Sequence, residues 1–134
     1  MTMVEDRYYT DDELMETLKR HHSAVKGLPI VPGTGKNGFK MLLQTTRESD
    51  IFIVATVNAH LDEQQAECVR YLVSSGRRVI GIAVRNPYDL QAFPQLHTYL
   101  ATYEYSQPAL TAAVRVIFGE SQAQGHLPVS IPNC

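Results

Sequence analysis

Two short polar stretches carry the side chains best suited to chemistry. One is Arg85-Asn86-Pro87-Tyr88-Asp89, which gathers a guanidinium, a carboxamide, a phenol and a carboxylate. The other is Asn58-Ala59-His60, with a second carboxamide and an imidazole. Such groups could hydrogen-bond a small ligand or a partner's surface. They could equally be structural: Arg85 and Asp89 can pair with each other or cap backbone groups, with Tyr88 packed under the loop. His60 has no companion ligand at metal spacing, so no metal centre is indicated. Asn58, His60, Arg85, Asn86, Tyr88 and Asp89 are therefore the candidate binding or interdomain-contact residues, and no residue presents itself as catalytic.

The elements that deliver these stretches place them on one edge. Residues 51–57 (Ile-Phe-Ile-Val-Ala-Thr-Val) and 79–84 (Val-Ile-Gly-Ile-Ala-Val) are nearly continuous apolar runs, too short for helices. Such runs suit strands covered on both faces, as in a parallel sheet. Gly81, inside the second run, marks a close approach by a neighbour. Each polar stretch leaves the carboxyl end of its strand, the edge where open parallel sheets hold ligands. Between the strands, Asp62 with Gln65 three later opens a helix bearing Ala66, Val69, Leu72 and Val73, and Gly76 ends it. Strand, helix, strand at this spacing is a βαβ unit.

Upstream, residues 1–9 lack periodicity and read as a tail or remnant, leaving 10–134 as one α/β domain. Thr10-Asp11-Asp12-Glu13 is a capping box for a helix with Leu14, Leu18 and Val25 on one face and Gly27 as its stop. His21 and His22 are adjacent on that helix and diverge by about 100°, so they do not form a chelate. Residues 28–31 could form a short edge strand. The run Gly33-Thr34-Gly35-Lys36-Asn37-Gly38 formally matches G-x-G-x-x-G, but its preceding strand is weak, Pro32 intervenes, and the acidic residue expected about 20 positions on is absent. It reads as a turn before a helix bearing Phe39, Leu42 and Leu43. Downstream, residues 97–105 suit a less covered strand. Ser106-Gln107-Pro108 opens a helix with Leu110, Ala113, Val114, Ile117 and Phe118, closed by Gly119. Residues 125–132 form a proline-rich extended tail.

Composition restricts the function classes. The 134 residues, 44% hydrophobic and 19% charged, suit one globular domain. A net charge of −2 gives no case for nucleic acid or an anionic membrane as partner. Cys68 and Cys134 provide no disulfide framework and read as a buried thiol and a chain end. No stretch of about 18 apolar residues suggests a membrane span, and the first residues lack a signal-peptide core, which leaves localisation open.

Four blocks then occur in order: Arg85-Asn86-Pro87-Tyr88-Asp89, Tyr99-Leu100-Ala101-Thr102-Tyr103, Ala112-Ala113-Val114-Arg115-Val116-Ile117-Phe118-Gly119-Glu120, and Gly125-His126-Leu127-Pro128-Val129-Ser130-Ile131-Pro132. Together they resemble the C-terminal domain of glycoside hydrolase family 3, most closely its bacterial β-N-acetylhexosaminidase branch. The resemblance implies a flavodoxin-like three-layer α/β/α sandwich with a mainly parallel sheet, attached behind a catalytic (β/α)₈ barrel. The family domain opens on a strand, whereas this chain begins almost at the following helix. The first strand would thus be missing or replaced by residues 1–9. The branch's nucleophilic aspartate and His/Asp pair belong to barrel motifs without a counterpart here. Other members supply an acid–base glutamate from this domain, and neither Glu104 nor Glu120 matches it.

A retaining glycosidase needs two carboxyl or equivalent groups about 5 Å apart, whereas the acids here sit mostly at helix starts: Asp11, Asp12, Glu13, Asp62 and Glu63. The expected function is a non-catalytic accessory domain that packs on, or frames the cleft of, a barrel absent from this chain, without a cofactor. The alternative is a stand-alone flavodoxin-like module for a small ligand or a protein. A phospho-acceptor receiver, a variant of it, would want a lysine at a strand end, and none follows these strands. Apolar side chains in 99–105 and 127–132 would meet the barrel or, in the isolated domain, form a homodimer, with Tyr103 and Ile131 as contact candidates.

Overall fold

The computed structural model describes residues 12–27, 33–48 and 50–134. Two expectations fall wholly outside them, the strand-like segment 28–31 and the tail 1–9, and so does Thr10 of the capping box. The elements are α1 (Asp12–His21), α2 (Gly35–Gln44), β1 (Ile51–Thr56), α3 (Glu63–Ser74), β2 (Arg78–Ala83), β3 (Thr98–Ala101) and α4 (Gln107–Ile117), with 3₁₀ turns at Ala59–Leu61 and Pro87–Ala92.

Among the described residues the sheet has three strands in the order β1-β2-β3, and both pairs are parallel. Ile51 to Thr56 align with Arg78 to Ala83, so the two apolar runs lie side by side in register. Alternation along the strands builds two cores. Phe52, Val54 and Val79 face Phe39 of α2 and Ala66, Val69 and Leu72 of α3, together with Phe93 and Leu96. Ala55, Val57, Ile82 and Val84 face Leu14 and Leu18 of α1 and Leu110 and Val114 of α4. A parallel sheet between two helical layers is the expected α/β/α sandwich. Burying each such Val, Leu or Phe contributes about 1.5–3 kcal/mol.

The helix ends follow from local chemistry. Asp62 accepts from the N–H groups of Gln64 and Gln65 at the start of α3, and Ser106 accepts from Ala109 at the start of α4. Both helices end in a Schellman arrangement. Gly76, with φ +78°, donates to Val73 O and Arg77 to Leu72 O; Gly119, with φ +73°, donates to Val116 O and Glu120 to Arg115 O. Helix α1 stops at His21, earlier than the glycine at 27, and the turn beyond is closed by Ala24 N–H donating to His22 Nδ1. His21 packs on Phe118 and reaches Glu120 at 3.3 Å, which ties α1 to the end of α4.

Three sequence expectations are corrected. Strand β3 spans four residues rather than nine: Thr102 N–H bonds Ala83 O, and Tyr103 then turns to a φ of +63°, which ends pairing. Gln65 does not complete a capping box; it turns to Val57 instead. Ile131, a contact candidate, is buried, whereas Leu127 and Val129 of the same tail are exposed.

Gly81 does meet its neighbour. A Cβ there would stand 2.6 Å from Leu96 and 3.2 Å from the ring of Tyr99, its register partner on β3.

Cys68 is fully buried in the first core and Cys134 is exposed. Burial pushes the Cys68 thiol up to about 12. The folded chain therefore holds a proton that the unfolded chain releases near pH 9.0, and Cys68's contribution to stability falls as pH rises from 9.0 towards about 12. Native protein at neutral pH is expected to alkylate one thiol, at Cys134, and the second only after denaturation. Modification of both at equal rates would contradict the burial.

Candidate functional site

All three strands run the same way, so the segments after Thr56, Ala83 and Ala101 emerge at one edge. There the two polar stretches meet through a buried carboxylate. Asp89, in the 3₁₀ turn Pro87–Ala92, has 0% exposure. Its Oδ2 accepts from the Thr56 hydroxyl at 2.7 Å, and its Oδ1 lies 2.9 Å from His60 Nδ1. A buried carboxylate is costly unless hydrogen-bonded; these two contacts satisfy it. The contact between Asp89 Oδ1 and Nδ1 fixes the ring's orientation.

The backbone around this pair is held by separate devices. Gln65 is buried beside Val57, accepting its N–H and donating to its C=O at 3.0 Å each, as a neighbouring strand would. The Gln65 amide also donates to Asp62 Oδ2 at 2.9 Å, linking the end of β1 to the cap of α3. Asn58 then adopts the left-handed region, with φ 52° and ψ 40°, and leads into the turn carrying His60. Asn and Gly are the residues that accept this conformation most readily. On the second stretch Asn86 Oδ1 accepts from Tyr88 N–H at 3.0 Å, with Pro87 at the first position of the 3₁₀ turn. Tyr99 donates its hydroxyl to Pro87 O at 2.9 Å. Burial first, and then the Asp89 charge, hold the Tyr99 phenol well above the usual tyrosine range, so it stays a donor.

The six candidates thus have different places. His60 and Asp89 are bonded to each other, and the Tyr88 ring meets the His60 ring edge-on at 6.3 Å. Asn58 and Asn86 shape the two turns. Arg85 is exposed and does not pair with Asp89, whose oxygens Thr56 and His60 occupy. Asp89 has no surface of its own and can act on a partner only by holding His60. The His60 side chain is 17% exposed, and no described residue hydrogen-bonds its Nε2.

One further edge residue escaped the sequence reading: Leu61, beside His60, is 80% exposed, while Tyr103, already a contact candidate, is 47% exposed. The only signal for Leu61 was the proximity of a large apolar side chain to a strand end. Thr56 and Tyr99 were also missed as positioning groups, because their partners are distant in sequence.

Four other carboxylates are engaged structurally. Asp62 caps α3, Glu63 pairs with Arg70, Glu104 accepts from Ser106 at 2.7 Å, and Glu120 lies between His21 and Arg115. Among the described residues no group of three or more His, Cys, Asp or Glu could hold a metal ion, and no helix is long and apolar enough to cross a membrane. A shallow groove of about 430 Å³ between α3 and the segment before β3 contains none of the six candidates.

Comparison with known proteins bears on this architecture. Residues 8–134 match the family described as the glycosyl hydrolase family 3 C-terminal domain. Beta-hexosaminidase A of Pseudoalteromonas piscicida is 32% identical over 74 aligned positions, covering 47% of this chain and 12% of that protein. Among solved structures, a fungal multi-domain GH3 beta-N-acetylglucosaminidase gives a TM-score of 0.81 at 38% identity, covering 91% of this chain and 14% of the other. A GH3 beta-N-acetylglucosaminidase from Paenibacillus sp. str. FPU-7 gives 0.79 at 24% identity, covering 92% and 24%, a likeness of fold alone. The chain spans less than a quarter of the length of each of these proteins.

Proposed function

The chain belongs to the glycosyl hydrolase family 3 C-terminal domain family, and from that premise we propose that the carboxyl edge of its sheet is the face it turns to a catalytic barrel. The chain is the family's accessory domain. A (β/α)₈ barrel takes about 250 residues, more than the 134 present here. The relatives named for beta-hexosaminidase and beta-N-acetylglucosaminidase support a parent acting on β-linked N-acetylhexosamines.

One observation carries the choice of edge: Leu61, next to His60 beyond the end of β1, and Tyr103, beyond the end of β3, are both large and exposed. Among the described residues three non-glycine residues have positive φ, and two of them, Asn58 and Tyr103, lie just beyond strand ends on this edge. Backbone strain of this kind concentrates at functional surfaces. An interface within a chain typically buries roughly 600–1,500 Å², and this edge offers it both apolar and hydrogen-bonding side chains. On the same reading, a homodimer of the isolated domain would use these side chains, with Leu127 and Val129 as further exposed apolar groups.

The test is binding in trans to the barrel of a family 3 β-N-acetylglucosaminidase, with Leu61→Asp as the probe. Leu61 is exposed, so the variant should fold normally. Losing a buried leucine at the interface removes about 1.5–3 kcal/mol, a weakening of roughly ten- to a hundredfold. Undiminished binding by Leu61→Asp would move the interface elsewhere, and no binding by the native chain would favour a stand-alone module.

A further inference from the structure

We infer that the segment after α4 is a strap: anchored by Ile131, it closes on Tyr99 and, through the Tyr99 hydroxyl, holds the turn Pro87–Ala92 that carries Tyr88 and Asp89. Its action on that turn does not depend on which partner the carboxyl edge meets. Residues 122–130 and 132–134 are exposed, whereas Ile131 among them keeps only 9% exposure. A lone buried side chain in an exposed stretch is the anchor of that stretch, because the rest of it gains little from burial. The chain then doubles back on the anchor: Asn133 adopts a φ of 62°, and Cys134 N–H donates to Ile131 O at 3.3 Å. Asparagine accepts this left-handed conformation better than most residues. There Cys134 is close enough to Tyr99 to act on the charge of its phenol.

Tyr99 is placed to pass this hold on. Its ring lies against Gly81 of β2, where an added Cβ would stand 3.2 Å from it. With Gly81 on one side and the chain end close by, the direction of the hydroxyl is set. That hydroxyl donates to Pro87 O at 2.9 Å and joins β3 to the start of the turn. Other groups hold the rest of the turn: Asp89 bonds Thr56 and His60 in its middle, and Arg70 Nη1 donates to Ala92 O at its end, 2.8 Å away. The first residue of the turn depends on Tyr99, and the Tyr88 ring that meets His60 follows directly after it. Tyr99 and Ile131 are thus positioning residues for the candidate site.

Amide hydrogen exchange, followed by NMR on the full ¹⁵N-labelled chain, tests the strap. The reporters are the Tyr88 and Phe93 amides, which bond Asn86 Oδ1 and Leu90 O in and beside the turn. The controls are the Ala66 and Ser75 amides at the two ends of α3. Ile131→Ala releases the anchor, and Tyr99→Phe removes only the hydroxyl. Each is expected to speed exchange of both reporters about tenfold, the value of one ordinary hydrogen bond, with the controls at native rates. The combined variant should be no faster than the faster single one, because both changes cut the same link. Native reporter rates in Ile131→Ala would overturn the inference. So would an equal rise in reporters and controls, which would make Ile131 a general stabilising residue, and so would multiplied effects in the combined variant, which would separate Ile131 from Tyr99. Native reporter rates in Tyr99→Phe, whose loss is confined to one hydroxyl, would overturn it without any question of folding.

Discussion

Val54→Asp is expected to abolish folding of the isolated domain. Val54 has no exposure, lies opposite Gly81 in the β1–β2 ladder, and belongs to the core with Phe52, Phe39, Val69 and Leu72. An aspartate there would lose the packing of the valine and bury a carboxyl among hydrocarbon without a described polar side chain in that cluster. Unpaired burial of this kind belongs to the small class of substitutions costing more than about 4 kcal/mol. A single domain has only about 5–15 kcal/mol in total. Far-UV circular dichroism should show no cooperative thermal transition. Ile51→Asp is the control: Ile51 is on the same strand but 53% exposed, and its variant should melt like the native chain. A normal melt for Val54→Asp would remove β1 from the centre of the fold.

The same strand shows why much of the architecture was legible in sequence. Residues 51–57 and 79–84 are apolar on both alternations because helices cover both faces, and a double-sided core leaves its mark in every position. The helix ends of α3 and α4 were legible for a local reason: Asp62, Ser106, Gly76 and Gly119 act on backbone within a few residues of themselves. Signals of this range survive in a linear chain.

The site was legible only as a list of ingredients. Asn58, His60, Asn86, Tyr88 and Asp89 were selected because they follow strands, but their pairing depends on contacts 29 and 33 residues apart. Sequence offered Arg85 as the nearest countercharge for Asp89. The fold instead buries Asp89 and aims it at Thr56 and His60, while Arg85 remains exposed. Gln65 misled for a related reason. Its spacing from Asp62 fits a capping box, yet Val57 leaves β1 with an N–H and a C=O to satisfy, and the buried amide answers both. Tyr103 gave no warning at all: an aromatic residue favours a strand, and its left-handed turn is imposed by the tertiary structure.

Hydrolysis of an aryl β-N-acetylglucosaminide by the purified 134-residue chain tests the central claim most directly. The carboxylates whose partners are visible serve caps and ion pairs, and Asp89 is buried behind His60. Glycoside cleavage by two flanking carboxyl groups requires both to face the scissile bond. The account predicts release of the aryl alcohol at the rate of buffer alone, with no dependence on protein concentration. Turnover that persists through rigorous purification, and is abolished by replacing a single acidic residue of this chain, would contradict it.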